Sequence, residues 1–475
     1  MSTSLFKVSF SYVLTKYIVV IINFIRSLVV ASALGPKNLG EYAFIVILLE
    51  YLNYSNLGIF HAMNKEVSIN LGKDERKLYI NNIINSSFSF QIINSFLVGI
   101  FFLIFYYLQE IGLFENNAFD SKYLIYIFIL GVLYQLKSFA FVYLRFFDRF
   151  SGIVRIELFS SVITFIGIYF FVERFLIDAI LVSSIIGNII VIFPTILRIN
   201  NLKFFIDFNL LKQLLLLAVQ LLFFNFLVLL TTSIDRLMIS QFFSSDKSAL
   251  GIFHFGYLLS FGVMTAFNSV IFLLVPKALR QFNSKNQDID LMIRQTKLVE
   301  NILVIIAVIA ICIFPIFIEI FMPQYLKSII IMQLLLLAYS INGLAFLPGT
   351  FMVANNFQLK LFPAFIVALA SAVILNYTSF LLGYGLNGIA MATIMTFVIY
   401  TFGLFLSYFK LQNKALLKSI FKTFWKLWIF SLLSIILIFE RSNFLWFIFL
   451  YALLYGRDII LITKTYFPLL SSKFR

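Results

Sequence analysis

Apolar residues run along this chain in blocks of about 20, each bounded by short polar or charged stretches, which is the pattern of repeated membrane-spanning helices. The rule predicts fourteen spans, near 10–33, 41–60, 82–108, 122–143, 156–172, 177–197, 214–235, 250–275, 297–317, 329–354, 363–382, 387–409, 427–439 and 444–463. Twelve are strong. The last two are weaker, because one is short and the other carries Gly456, Arg457 and Asp458 in its second half. The first block, with Lys7 and Lys16 ahead of it and Ala31-Ser32-Ala33 behind, has the outline of a signal peptide. Its run is too long for one, Asn23 and Arg26 interrupt it, and further spans follow, so a retained helix is expected.

Composition agrees with lipid as the solvent. Of 475 residues 62% are hydrophobic and 12% charged, whereas a soluble domain carries roughly a quarter charged residues. The net charge of +15 raises the question of nucleic acid, and its placement answers it. With the N-terminus inside, 26 Lys and Arg residues fall in inner segments and six (Lys37, Lys122, Arg174, Lys247, Lys327, Arg441) in outer loops. That bias puts both termini in the cytoplasm, gives the charge to anionic lipid head groups and leaves no nucleic-acid partner. The expected location is a membrane, crossed many times. The longest outer loop, 109–121, has no room for a folded domain. Lys414, Lys418 and Lys422, spaced by four within Lys410–Lys426, predict a basic helix lying on the inner leaflet.

A faint repeat divides the chain. Asn38-Leu39-Gly40-Glu41-Tyr42-Ala43-Phe44 is echoed 211 residues later by Ala249-Leu250-Gly251-Ile252-Phe253-His254-Phe255, and Arg26 and Arg236 precede their glycines by 14 and 15 positions. The expected organisation is a six-helix bundle over 1–200, a second over 201–410, and over 411–475 a basic interfacial helix followed by two weaker spans that form a hairpin.

No enzyme constellation is present. His61 and His254 lack metal-ligand spacing to other donors, the lone Cys312 makes neither disulfide nor metal site, and no phosphate-binding glycine loop occurs. No cofactor is expected. The informative residues are charges inside spans, which are costly there and usually face a partner or a wet cavity. Arg26 with Asn23 lies in span one, Glu50 with Asn53 and Tyr54 in span two, and Lys137 with Tyr134 in span four. Span seven carries Gln220, Asn225, Thr231 and Thr232, with Asp235-Arg236 at its outer end. Arg26, Lys137 and Arg236 outnumber Glu50 and Asp235, so a cavity built from them would be cationic and would suit a phosphate or acidic group. Glu50 and Asp235 are candidates for coupling a cation or for ion-pairing. A structural ion pair of Arg26 with Glu50, snorkelling of Lys137, and capping by Asp235 and Arg236 are the alternatives.

The sequence resembles the polysaccharide-biosynthesis branch, which includes Wzx-type O-antigen flippases, of the multidrug/oligosaccharidyl-lipid/polysaccharide exporter superfamily. The resemblance rests on Arg26 followed by Ala33-Leu34-Gly35-Pro36-Lys37-Asn38-Leu39-Gly40-Glu41-Tyr42, on Leu57-Gly58, and on Ile234-Asp235-Arg236-Leu237-Met238-Ile239. It continues through Val275-Pro276, Phe321-Met322-Pro323-Gln324-Tyr325 and Tyr384-Gly385-Leu386-Asn387-Gly388-Ile389-Ala390. The resemblance implies an all-α, MATE-like polytopic fold, with two six-helix bundles in a V around a central cavity that work by alternating access. It implies an undecaprenyl-diphosphate-linked oligosaccharide as substrate, H+ or Na+ as coupling ion, and a polysaccharide polymerase and chain-length proteins as possible partners. On that footing Arg26, Lys137 and Arg236 would hold pyrophosphate or acidic sugar. A cation-coupled drug exporter of the same fold and a lipid II flippase are the rival readings. A sugar polymerase would need a larger outer loop.

Overall fold

In the computed structural model, the described backbone covers 3–70, 76–111, 119–147, 149–199, 202–282, 289–355, 357–411 and 416–471. It is all-helical among these residues: α1 (Thr3–Leu52), α2 (Ile59–Asn70), α3 (Lys77–Glu110), α4 (Tyr123–Phe146), α5 (Phe150–Leu197), α6 (Phe208–Phe242), α7 (Lys247–Phe282), α8 (Ile289–Phe321), α9 (Ser328–Gly343), α10 (Phe346–Ala354), α11 (Phe362–Leu381), α12 (Gly385–Leu411), α13 (Leu416–Phe439) and α14 (Leu445–Ser471). Among the described residues nine helices are long and apolar enough to cross a bilayer, with shorter apolar helices at Phe208–Val219 and Thr423–Phe439. The chain is thus a polytopic membrane protein.

Two elements each hold two expected spans. In α1 the helix breaks at Gly35, whose φ of 64° suits a residue without Cβ, and Pro36 begins the next arm with its φ already set. In α5 the break falls at Leu176, with φ 47° and ψ −122°, so the arms before and after it are separate helices. Those arms meet where Thr164 Oγ1 donates to the Ser183 carbonyl at 3.5 Å.

The chain divides into two compact units, Met1–Ser233 with Phe243–Gly251, and Ile234–Phe242 with Ile252–Arg475. In the first, Ile59 and Met63 of α2, Phe139 of α4 and Leu214 and Ala218 of α6 bury one apolar cluster. The segment entering α6 is extended and lies along a polar face of α3: Lys203 N–H donates to Asn85 Oδ1 at 3.0 Å, Phe205 N–H to Ser89 Oγ at 2.9 Å and Asp207 N–H to Ser86 Oγ at 3.1 Å. Alternate backbone donors thereby find side-chain acceptors that a helix would have supplied internally. Also in this unit, the two glycines of the sequence repeat meet reciprocally. A Cβ on Gly40 would lie 1.9 Å from the Lys247 carbonyl oxygen, and one on Gly251 would lie 1.8 Å from that of Pro36. Each glycine therefore sits against the carbonyl four residues before the other.

Three spans differ from expectation. Residues 53–58 interrupt the second one, and a turn at 344–345 divides the tenth into α9 and α10, three residues before Pro348. By contrast α8 runs through Pro315. Residues 416–439 form one uninterrupted helix, so residues 416–426 of the basic segment and the thirteenth span are a single element. Lys414 and the side chains of Lys418 and Lys422 lie outside the described residues. In the second unit α14 packs on α13 through Lys426–Asp458 (2.5 Å) and on α8 through Tyr455.

Candidate functional site

The first unit contains two polar centres at the middle of apolar helices. One is cationic. Arg26 on α1 and Lys137 on α4 are both half-buried, and Arg26 acts electrostatically on Lys137, Tyr42 and Tyr134. Lys137 Nζ donates to Ser160 Oγ at 3.0 Å and stands 5.8 Å from the Phe141 ring centre. The Lys137 ammonium also feels Glu157 and Lys16, which pair with each other. Two further cations thus act on Lys137, against one carboxylate that is already engaged. Lys137 is nine residues from the end of α4 at Phe146, roughly 14 Å along the axis, and it bonds within the protein instead of extending along the helix to an interface. Asn23, one turn before Arg26, accepts from Ser27 Oγ through its backbone carbonyl at 2.9 Å, and its side-chain Oδ1 is buried.

The second centre was not visible as a site in the sequence. It forms where α1 stops. Asn56 Nδ2 donates to the Asn53 carbonyl at 2.9 Å and Asn56 Oδ1 accepts from Gly58 N–H at 2.8 Å, so one side chain closes the turn from both sides. Leu57 and Gly58 take φ of 51° and 75°. The carbonyl of Leu52 accepts from Ser55 N–H at 3.0 Å and Ser55 Oγ at 2.8 Å within the turn, and from Gln135 Nε2 at 2.8 Å. The same amide donates to Ser55 Oγ, and its oxygen accepts from Gln91 Nε2 and, at 3.4 Å, from Ser95 Oγ. Asn94 Nδ2 donates to the Ser55 carbonyl at 2.8 Å. Gln135 lies 12 and 11 residues from the ends of α4, so this network is at mid-helix depth. Irregular backbone survives there only when protein groups or water satisfy it. Asn53, expected on a cavity face of a continuous span, lies exposed in this turn. Glu50, one turn earlier on α1, acts on Tyr54.

The second unit buries the other candidates. Asp235 and Arg236 are 3% and 1% exposed and lie seven and six residues before the end of α6 at Phe242, so they are interior residues and not caps at a helix end. The Arg236 guanidinium stands 4.0 Å from the Tyr257 ring centre, a cation–π arrangement in a desolvated place, and His254 stacks on the same ring at 5.6 Å. Asp235 Oδ1 accepts the Arg236 backbone N–H at 2.7 Å, and Thr393 Oγ1 donates to Asp235 Oδ2 at 3.4 Å. His254 is 1% exposed. Of the remaining polar candidates, Asn225 is half-buried on α6, and the side chain of Gln220 lies outside the described residues.

Sequence reasoning also missed Glu300 of α8. It is 2% exposed and accepts the Tyr455 hydroxyl at 2.6 Å. The Lys426 ammonium lies 5.7 Å from the Tyr455 ring centre and holds Asp458. The signal was present as a carboxylate near the start of the ninth apolar block.

No group of three or more metal-binding side chains occurs among the described residues. No protein-family model matches the chain, and no curated protein matches it. Its fold does have solved relatives. The inward closed conformation of the lipid II flippase MurJ superposes with a TM-score of 0.69 at 16% identity, covering 97% of this chain and 100% of that one. The Vibrio cholerae MATE transporter VcmN gives 0.61 at 16% identity over 87% and 98% of the two chains. An inward-facing multidrug resistance MATE family transporter of the MOP superfamily gives 0.57 at 10% identity over 83% and 96%. The fold is therefore that of MATE-like membrane transporters.

Proposed function

We propose that this chain turns an undecaprenyl-diphosphate-linked oligosaccharide repeat unit, an O-antigen or capsule precursor, from the cytoplasmic to the periplasmic leaflet by ion-coupled alternating access. The observation that carries the reading is the cationic centre of the first unit, where Arg26 and Lys137 share a field and the nearby carboxylate is engaged by Lys16. A diphosphate cannot enter hydrocarbon without groups that replace its water. A guanidinium fork offers two parallel bonds to phosphate and an ammonium offers a point charge. Tyr42, Tyr134 and Ser160 place hydroxyls in the same region for a sugar. Asp235 and Glu50 are the proposed coupling groups, and Arg236 with Asn23, Gln220 and Asn225 are further proposed contacts. No bond of the substrate is made or broken, so the protein acts as a carrier and not as an enzyme. Its place is the bacterial inner membrane with both termini inside, working beside a polysaccharide polymerase and chain-length proteins.

A second reading, transport of lipid II, is favoured by one observation. The MurJ likeness covers 97% of the chain against 83–87% for the MATE transporters cited above. Both lipids present the same diphosphate, so the cationic centre serves either.

The test is movement of lipid between leaflets of liposomes containing the pure protein, with and without a proton or sodium gradient. Arrival of lipid-linked oligosaccharide in the opposite leaflet, lost in Arg26→Ala, is the expected result. Gradient-driven efflux of organic cations with no lipid movement would make the protein a drug exporter.

A further inference from the structure

Away from these centres, the first unit contains a cavity of about 430 Å³ between the end of α4 and both arms of α5. Arg149, Arg155 and Arg198 line it. Arg198 follows the last turn of α5, where the carbonyl end of a helix favours a cation. Nothing of that kind accounts for Arg149 and Arg155. Arg149 is the residue just before α5, at the positive end of the helix dipole, where a further cation is unfavourable unless an anion is present, and Arg155 follows in the second turn. Glu157, two residues beyond Arg155, is engaged by Lys16, and no ion pair to any of the three arginines occurs among the described residues. Ser151, also lining the cavity, adds a hydroxyl beside them.

The opposite half of the cavity is apolar. Phe159 and Ile163 follow Arg155 at intervals of four, one above the other on the first arm. Ile190 precedes Arg198 by two turns on the second arm. Polar-to-apolar order therefore runs the same way along both arms. Phe159 and Ile190 are 53% and 52% exposed, which suits contact with hydrocarbon and not with water. Pro194, also lining the cavity, has no N–H to give the carbonyl of Ile190. A soluble anion has no use for the apolar half. A lipid uses both halves.

We propose that this cavity is a binding site for a phosphate-bearing anionic lipid, with the phosphate held by Arg149, Arg155 and Arg198 and the first part of the chain lying along Phe159, Ile163 and Ile190. Its arginines lie at the end that the distribution of basic residues assigns to the cytoplasm. The site is separate from Arg26 and Lys137, and the inference does not depend on which substrate is carried.

The experiment uses the full chain in nanodiscs of phosphatidylcholine, with native mass spectrometry reading retained lipid as phosphatidylglycerol or cardiolipin is titrated in. Inorganic phosphate serves as competitor. The wild type should hold the anionic lipid, and affinity should fall roughly tenfold for each arginine changed to glutamine. Arg149→Lys, Arg155→Lys and Arg198→Lys together keep the charge that sets topology and remove only the forks, so they report on the site even if the glutamine variants fail to insert. They should also weaken binding at least tenfold. Phe159→Ser with Ile190→Ser should weaken lipid binding while leaving any phosphate binding unchanged. Equal retention of phosphatidylcholine and anionic lipid, or retention unchanged in both the glutamine and the lysine variants, would overturn the proposal. Phosphate binding as tightly as lipid, with no effect of the serine variants, would make the site one for a soluble anion and overturn the lipid assignment.

Discussion

Gln135→Leu is the sharpest perturbation of the broken second span. The wild-type amide donates to the Leu52 carbonyl and to Ser55 and accepts from Gln91 and Ser95, using its full hydrogen-bonding capacity in a residue only 3% exposed. Leucine has nearly the same volume, so the change removes four polar contacts and opens little space. Hydrogen bonds between helices in membranes average about 0.6 kcal/mol, and the Leu52 carbonyl keeps its bonds from Ser55 N–H and Ser55 Oγ, so no acceptor is orphaned at the break. The expected loss over the four bonds is about 2–3 kcal/mol. Asn94→Ala, which removes one bond to the Ser55 carbonyl, provides an internal scale and should cost about a quarter as much. The assay is the unfolding midpoint of both variants in detergent with added lipid. A Gln135→Leu midpoint equal to or above wild type would refute the argument, since the unwound segment would then be held by something other than this amide.

Three further outcomes follow from the geometry. Gly251→Ala places a methyl 1.8 Å from the Pro36 carbonyl, so the backbones must separate, and a loss of about 2 kcal/mol or more in thermal unfolding is expected; an unchanged midpoint would contradict the close approach. Tyr455→Phe leaves Glu300 buried without its donor and should cost about 1–3 kcal/mol, measured the same way, whereas the Glu300→Gln variant keeps an acceptor and should cost less. In a Cys312→Ser background, Lys122→Cys should react with an impermeant maleimide from outside whole cells and Lys203→Cys only after lysis; the reverse pattern would invert the orientation assigned from basic residues.

The block pattern revealed the membrane class and nearly every helix, because a spanning helix must be apolar over its whole length. It hid the break after Leu52. There the block of 41–60 reads as one continuous span, with Asn53 and Tyr54 one turn after Glu50 and Leu57-Gly58 at its end. The turn chemistry of Asn56 and Gly58 outweighs the apolar neighbours because α3 and α4 supply Asn94 and Gln135 to satisfy the opened backbone, and those partners lie 39 and 80 residues away from Ser55. Charge inside a span was legible for Arg26 and Lys137, and the fold brings their fields together. It was misleading for Asp235 and Arg236, since the apolar count ended the helix where α6 continues to Phe242. Glu300 escaped notice for the same reason in reverse: its burial depends on Tyr455, a residue 155 positions later.

The central claim is that Arg26 and Lys137 hold the diphosphate of a lipid-linked saccharide. Binding of undecaprenyl-diphosphate oligosaccharide to the pure protein tests it most directly, compared among wild type, Arg26→Gln, Lys137→Gln and the double variant. The account predicts that each single change weakens binding roughly tenfold, that the double change weakens it further, and that undecaprenol without phosphate binds all four proteins alike. Equal affinity of wild type and double variant for the diphosphate lipid would contradict it.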